Sequence, residues 1–530
     1  MTADKSTKYD RQLRLWGPEG QEKLENTHVL LVNASATGCE ALKNLVLPGI
    51  GKFTIVDNQN ITIAECSRNF FVSHSDLGSS RASSATRNLL ELNPEVHGQF
   101  EMMDLNTTLT EDSFLKQFQI VIGSQLCDHE IQLLSKHCYE HSIPLIVTFI
   151  ANTVGLLGYC RLQVAQHIIL DIKPDPPQFD LRLDCPFPTL LGFASQLNLS
   201  DLSSIDHAHV PYIVILLQAM ERWQELHEDR IPKTLAEKNE FKNLIKSMSR
   251  KPCGEEVNFT EAVDNSHKAY SLTEIPEDAK KVLELAETKK LSTSDLSNPT
   301  AEAMFWILAK AVQDFRNYNN GRLPLAGIIP DMTAATEYYV TLQQLYRTKA
   351  QSDAEQVAHF AHKRAEIDDL PISSLSLERI AEFCKKANCV AMLQTKSIVQ
   401  EFEAPDFSDI DWEDEDPLQS PLIWYFCFRA VLLFLSQLQR PPGATTEDQE
   451  WLLNHAHQLA IKSDMKTHLP NSDHIREISR FASSEPHNIA ALIGGIASQE
   501  AIKLITGQFM PINHTYLYNG INGTAATYKL

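Results

Sequence analysis

A chain of 530 residues is too long for one ordinary hydrophobic core and sets an expectation of roughly two to four domains. Its formal net charge of −21 argues against a nucleic-acid partner, because affinity for a phosphate backbone comes largely from clustered Lys and Arg. The most acidic run, Asp406 to Asp416, reads as a solvated loop. Ten cysteines over this length make no disulfide framework, and no two pairs have zinc-ligand spacing. The longest apolar stretch, Leu422 to Leu438, is broken by Arg429 and Ser436, and Met1 to Tyr9 has no apolar stretch of the kind a secretory signal needs. These features predict a cytoplasmic or nuclear protein that engages neither nucleic acid nor membrane.

In chain order, His28 to Asn33 reads as a buried strand, Thr37 to Leu47 as a helix, and Phe53 to Asp57 as a second strand ending in an acid. This is the outline of a nucleotide-binding βαβ unit. The turn after its first strand should carry G-x-G-x-x-G, so that backbone can approach a phosphate at the helix N-terminus. Here the turn is Asn33-Ala34-Ser35-Ala36-Thr37-Gly38, and only Gly38 survives. A polar loop from Asn58 to Arg68 follows, then a helix near Ser80 to Leu92 closed by Asn93-Pro94. Gln119 to Gly123 is the next strand, Glu130 to Glu140 a helix, Pro144 to Ile150 another buried strand, and Gly155 to Val164 a strand at the sheet edge.

Beyond Gln166 the character changes. Pro174, Pro176, Pro177, Pro186 and Pro188 make a connector that cannot be helix interior. Amphipathic helices then dominate, among them Ala301 to Phe315, Asp331 to Lys349 and Leu422 to Leu438. Ser484-Glu485-Pro486 is a helix-start signal for Ile489 to Ile505. Strands at Thr515 to Tyr518 and Ala526 to Leu530 follow, with Asn519-Gly520 and Asn522-Gly523 supplying the turn between them. There is no repeat of fixed period. The expected fold is α/β: a doubly wound, Rossmann-like sheet from residues 1–165 and 481–530, interrupted by a mainly helical insertion at 166–480.

Four stretches resemble the adenylation fold of the enzymes that activate ubiquitin-like proteins. They are Tyr9-Asp10-Arg11-Gln12-Leu13-Arg14-Leu15-Trp16-Gly17, Gly38-Cys39-Glu40 through Gly49-Ile50-Gly51, Phe53 to Asp57, and the late helix opening at Pro486. Within the insertion, Arg230 to Thr234, Ile329-Pro330-Asp331-Met332 and Leu342 to Arg347 resemble the regulatory-subunit branch of that family, from neddylation-activating enzymes. The resemblance implies a catalytically degenerate adenylation-type fold and a heterodimer. In that heterodimer a catalytic subunit binds ATP and Mg, adenylates the C-terminal glycine of the ubiquitin-like modifier and captures it as a thioester. The modifier then passes to a conjugating enzyme and on to cullins. This chain would be a non-catalytic, regulatory subunit that binds no cofactor or metal of its own.

Residue by residue, the resemblance implies a ribose-binding acid at Asp57, which also simply terminates its strand. Gln59 stands where active members have a second Asp. Ser67, Arg68 and Asn69 replace an Asn-Arg-Gln phosphate cluster, so only Arg68 is kept, and Arg81 replaces the phosphate-gripping Lys. The metal-holding Asp falls near Cys127 or Asp128. With the cradle at Asn33, Ser35 and Gly38 degraded, such a site should not orient ATP. Cys185 and Cys253 sit in loops, but neither has the Cys-Thr context of active members. Arg11 matches an Arg that reaches across the pseudo-twofold axis to the partner's ATP phosphates; its alternative is a surface ion pair. Asp331, Tyr338, Tyr339, Leu342 and Tyr346 are partner-contact candidates; for the last four, an apolar patch, core packing is an equal explanation. A competing reading is a Rossmann oxidoreductase, since Asp57 lies 24 positions after Asn33, near the spacing of a ribose-binding acid. The missing glycines weigh against it.

Overall fold

Strands β1 (His28–Val32), β4 (Ile120–Ser124) and β5 (Leu145–Ala151) are apolar on both faces, and all but His28 are buried, as parallel strands covered by helices must be. They form the middle of an eight-stranded sheet in a computed structural model that describes residues 7–105, 112–151, 157–252, 254–290, 301–367, 375–408, 420–465, 469–480 and 484–530. The other strands are β2 (Lys52–Val56), β3 (His97–Glu101), β6 (Leu157–Gln163), β7 (Thr515–Asn519) and β8 (Thr524–Tyr528), and the order is β8-β7-β6-β5-β4-β1-β2-β3. From β3 to β5 neighbours are parallel; β6, β7 and β8 each pair antiparallel. The chain reverses its winding between β1 and β4, so a crevice opens beyond their carboxyl ends. Doubly wound sheets bind ligands at this point.

The helices of this unit include α1 (Asp10–Glu25), α2 (Ala36–Val46), α3 (Ile63–Arg68), α4 (Arg81–Leu90), α5 (Asp128–Glu140), α6 (Pro421–Leu438) and α7 (His487–Thr506). Leu30, Val32, Val121, Val147 and Phe149 share one core cluster with Ile131 and Leu134 of α5 and with Leu422, Phe428 and Val431 of α6. Helix α7 lies on the opposite face with α2. Its approach is so close that a Cβ on Gly494 would stand 2.7 Å from the Glu40 Cβ and 2.9 Å from both the Ala41 nitrogen and the Thr37 oxygen. Gly158 of β6 takes Ile493 in the same way.

Three expectations are corrected. The strand expected at the sheet edge, β6, is interior, because the C-terminal hairpin pairs outside it through β7. The edge on the other side is β3, a strand the sequence did not announce. The insertion is also shorter than 166–480: one compact unit comprises 1–169 and 392–530, the other 170–391. The reason is α6, in which thirteen residues including Arg429 are buried, so it is a core helix of the sheet unit and cannot belong to a separate domain. Among the described residues two helices, Pro421–Leu438 and His487–Thr506, are long and apolar enough to span a bilayer by length and composition. Shares of 72% and 56% of those windows are buried within the protein, as core helices are.

The 170–391 unit has its own core, centred on Tyr212–Leu226 and the N-terminal part of the long helix Thr336–Ile367. That helix starts five residues later than expected and runs well past Lys349, since no Gly or Pro occurs between Lys349 and Pro371.

The glycine pair of α7 separates two effects. Gly494→Ala should cost about 1–3 kcal/mol, because the methyl group meets backbone that cannot give way. A Cβ on Gly495 would find only the Asn44 side-chain nitrogen at 3.9 Å, so Gly495→Ala should be neutral or gain up to about 1 kcal/mol of helix propensity. Urea unfolding of the two variants gives the comparison, and equal midpoints would contradict the close approach.

Candidate functional site

The crevice at the winding reversal is where the degraded cradle lies. Asn33 follows β1 with φ 70, so the turn keeps the left-handed conformation for which a fingerprint places its first glycine. Asn tolerates that region better than other side chains. Its amide nitrogen donates to the Ser124 carbonyl at 2.8 Å and the Gln125 carbonyl at 3.2 Å, tying the end of β1 to the end of β4. Ser35, at the second glycine position, caps α2 by accepting from the Gly38 N–H at 3.1 Å, and its hydroxyl also pairs with the Ser124 hydroxyl at 2.7 Å. A side chain now stands where close backbone approach needs none. Gly38 is the third position, and a Cβ there would lie 2.8 Å from Leu31 Cδ1 and 3.0 Å from the Asn33 carbonyl oxygen. The surviving glycine is thus the one that packs helix against strand; the two that serve the phosphate are replaced.

Among the described residues, the charged groups at the end of β2 and the start of α2 are bound by this chain itself. Asp57 is 4% exposed. One carboxylate oxygen accepts from the Ala34 N–H at 2.9 Å and the Arg81 Nε at 2.6 Å, the other from the Gln59 N–H at 2.8 Å. Arg81 spends its remaining nitrogens on Glu65 and on the Asn33 side-chain oxygen, Oδ1. Burial works to raise the Glu65 carboxyl, but the Arg81 guanidinium and hydrogen bonds from Thr62 outweigh it and hold the group below its usual range. Burial likewise opposes charge on Arg81, and Asp57 and Glu65 overcome it, so its pKa is raised. Arg68 pairs with Glu65 at 3.6 Å. Asn69 turns inward, donating to the Ala34 carbonyl at 3.1 Å and accepting from the Phe71 N–H at 3.0 Å.

Asp128, the candidate metal-holding acid, is buried and accepts from Arg429 of α6 at 3.1 Å and from Gln132. The Arg429 guanidinium also stacks on Phe402, 3.1 Å from the ring centre. Cys127 is pushed up to about 11, by burial first and then by Glu130, so it offers no thiolate. The N-terminus of α2 receives Glu485, whose carboxylate accepts from the Ala36 N–H at 3.2 Å, the Thr37 N–H at 3.3 Å and the Thr37 hydroxyl at 2.9 Å. ATP and Mg, which an adenylation-type fold implies, do not fit these residues. The ribose acid is held by an arginine, the phosphate seat by a carboxylate and the metal-side acid by a second arginine. A nicotinamide cofactor fails on the same commitment of Asp57.

The remaining site residues divide. Tyr9 is buried at 2% exposure; its hydroxyl donates to Glu95 at 3.0 Å and accepts from Asn93 at 3.1 Å. Gly49, at φ 88, lies under that phenol, where a Cβ would come within 2.7 Å of the hydroxyl. Tyr9 therefore anchors the start of α1, and Arg11 beyond it is exposed, with no side-chain hydrogen bond or ion pair among the described residues. Arg14 pairs with Asp10 at 3.0 Å. Leu342 and Tyr346 are fully buried in the core of the 170–391 unit, with the Tyr346 hydroxyl donating to the Leu181 carbonyl at 2.6 Å. They are not contact residues, because their face of the helix packs inward. Tyr338 and Tyr339 are half-buried, and Asp331 is exposed. Cys185 is an exposed free thiol beside Asp184, which holds Arg322 at 2.8 Å; Cys253 lies outside the described residues. Sequence reasoning missed Glu65, Arg429 and Glu485. Glu485 carried a local signal, an acid before the proline of a helix start, and Glu65 stands at the capping-box position three residues after Thr62.

Compared with known proteins, residues 9–530 match the ThiF family. The chain is 36% identical over 541 residues to the NEDD8-activating enzyme E1 regulatory subunit of Danio rerio, covering 99% of each. Identity to that of Gallus gallus is 37% over 537 residues, covering 99% of this chain and 98% of the relative. Identity to the NEDD8-activating enzyme E1 regulatory subunit AXL of Arabidopsis thaliana is 35% over 533 residues, covering 98% of each.

Two outcomes follow from the buried ion cluster. Arg81→Met, which keeps volume and removes charge, leaves Asp57 and Glu65 buried without their cation and should cost about 3–5 kcal/mol in urea unfolding. A loss under about 1 kcal/mol would mean the cluster is solvated. The lowered pKa of Glu65 means its ionised form stabilises the fold at neutral pH, and that contribution fades as pH falls below 4.5 through the folded value. The stability gap between wild type and Glu65→Gln should therefore be full at pH 7 and shrink in acid. A constant gap would assign Glu65 no ionic role.

Proposed function

This chain belongs to the ThiF family, and we propose that it is the non-catalytic, regulatory half of a heterodimeric enzyme that activates the ubiquitin-like modifier NEDD8. In this reading the other half is a catalytic subunit that binds ATP and Mg, adenylates the modifier, takes it as a thioester and hands it to a conjugating enzyme. Two facts support the reading together. The match to regulatory subunits runs the whole length of the chain, and Glu485, Arg81 and Arg429 pair with the start of α2, with Asp57 and with Asp128, the groups a nucleotide would need. The second carries the assignment of this half as non-catalytic.

Its contribution to the chemistry is proposed to be Arg11. Burial of Tyr9 fixes the start of α1, and the Arg11 guanidinium, without a hydrogen bond or ion pair among the described residues, is available to a partner's phosphates. A guanidinium meeting phosphate in a partly dry site forms charge-assisted hydrogen bonds stronger than surface pairs. Loss of one preorganised donor costs roughly 10²–10³-fold where charge develops in a transition state. A contact to the departing pyrophosphate should fall at or below the low end.

The test is reconstitution with the catalytic partner. The two chains should co-elute with equal stoichiometry. The complex should catalyse ATP–pyrophosphate exchange, and thioester formation should survive Cys185→Ala. Arg11→Ala should slow exchange at subsaturating ATP by up to about 10²-fold without altering co-elution, with a smaller effect for Arg14→Ala, whose side chain is held by Asp10. Exchange at the wild-type rate would make Arg11 an ordinary surface residue. Failure to form a stoichiometric complex would overturn the regulatory-subunit reading itself.

A further inference from the structure

Glu485 is a buried carboxylate without a cation. It is 3% exposed, and among the described residues no Lys, Arg or His pairs with it. Arg81 is taken up by Asp57 and Glu65, and the His487 ring, two residues on, has its Nε2 3.7 Å from a Glu40 carboxylate oxygen. What faces the carboxylate instead is the first turn of α2, through the Ala36 and Thr37 N–H groups and the Thr37 hydroxyl. That eleven-residue helix carries no acid in its own first turn, so its positive end is left for another group to neutralise. Backbone N–H groups with the helix dipole behind them are the arrangement that doubly wound folds aim at a phosphate.

We propose that Glu485 is a built-in anion, seated in place of a nucleotide phosphate, that closes the crevice in cis. Two local substitutions make room for it and hold it there. Ser35 replaces a glycine and turns its hydroxyl onto Gly38 and Ser124, so the loop is set without a ligand. Gly494 lets α7 settle onto α2, which brings the lead-in of α7, and Glu485 with it, over the helix end. Glu485 thus clamps the last segment of the chain to its first βαβ unit across 448 residues, and the fold needs no external anion to be complete.

The inference rests on the reading of this half as non-catalytic, but its test uses the isolated chain and no partner, so it fails or stands independently of complex formation. Thermal unfolding is measured for wild type, Glu485→Ala and Glu485→Gln in 10 mM sodium pyrophosphate without metal, against sodium chloride of matched ionic strength. Wild type should shift by less than about 1 °C between the two salts, since its seat is taken. Glu485→Ala should melt several degrees lower in chloride and recover about 3 °C or more in pyrophosphate, as expected when an anion at concentrations above its Kd binds only the folded state. Glu485→Gln, isosteric and neutral, should show the same gain more weakly and serves alone if the alanine variant does not fold. A melting temperature unchanged by either substitution, or a loss that pyrophosphate does not specifically reverse, overturns the proposal. If neither variant can be purified, wild-type amide exchange decides: Ala36 and Thr37 should be protected equally with and without pyrophosphate, and added protection by pyrophosphate overturns the plug.

Discussion

The structure turns on the need to neutralise one electrostatic centre. Where the sheet reverses its winding, the N-terminus of α2, the end of β2 and the end of β4 converge and bring N–H groups and acids out of water. In a working nucleotide fold a ligand and its metal complete that centre. Here the chain completes it with Arg81 on Asp57, Glu485 on α2 and Arg429 on Asp128. A buried charge with no partner costs several kcal/mol, so each of these pairings constrains the segment that supplies it. Both Glu485 and Arg429 come from chain beyond the insertion, which is why α6 and α7 belong to the sheet unit.

Much of the fold was legible because burial writes itself into composition. Strands β1, β2, β4 and β5 are apolar runs of strand length, and α2 and α7 carry the small residues that close packing needs. Strand β3 was not legible: His97-Gly98-Gln99-Phe100-Glu101 lies at an edge with four of five residues exposed, so no apolar pattern marks it. The domain boundary near 392 was missed because α6 looks like one more apolar helix until its near-complete burial is seen.

The candidate site was half legible. Loss of two glycines pointed to an altered turn after β1, and Asp57, Arg68 and Arg81 do gather in one neighbourhood beside it. What the sequence could not show was the destination of each side chain. Arg81 reads as a substitute for a phosphate-gripping lysine and proves to be the hub of a buried cluster with Asp57, Glu65 and Asn33. Glu485 reads as part of a helix start and proves to act on a helix some 448 residues earlier. Leu342 and Tyr346 could have faced inward or outward on a helix whose apolar stripe has no obvious limit; packing against Leu181 and Phe187 decided it.

In the proposed division of labour, one half of a paired fold keeps the architecture and gives up the ligand, while its partner keeps the chemistry. Its central claim is that this half cannot take nucleotide because its own side chains already hold the groups that would bind it. Calorimetric titration of Mg-ATP into the isolated full-length chain tests that claim most directly. The account predicts no saturable heat up to millimolar nucleotide, and one-site binding with a micromolar Kd would contradict it.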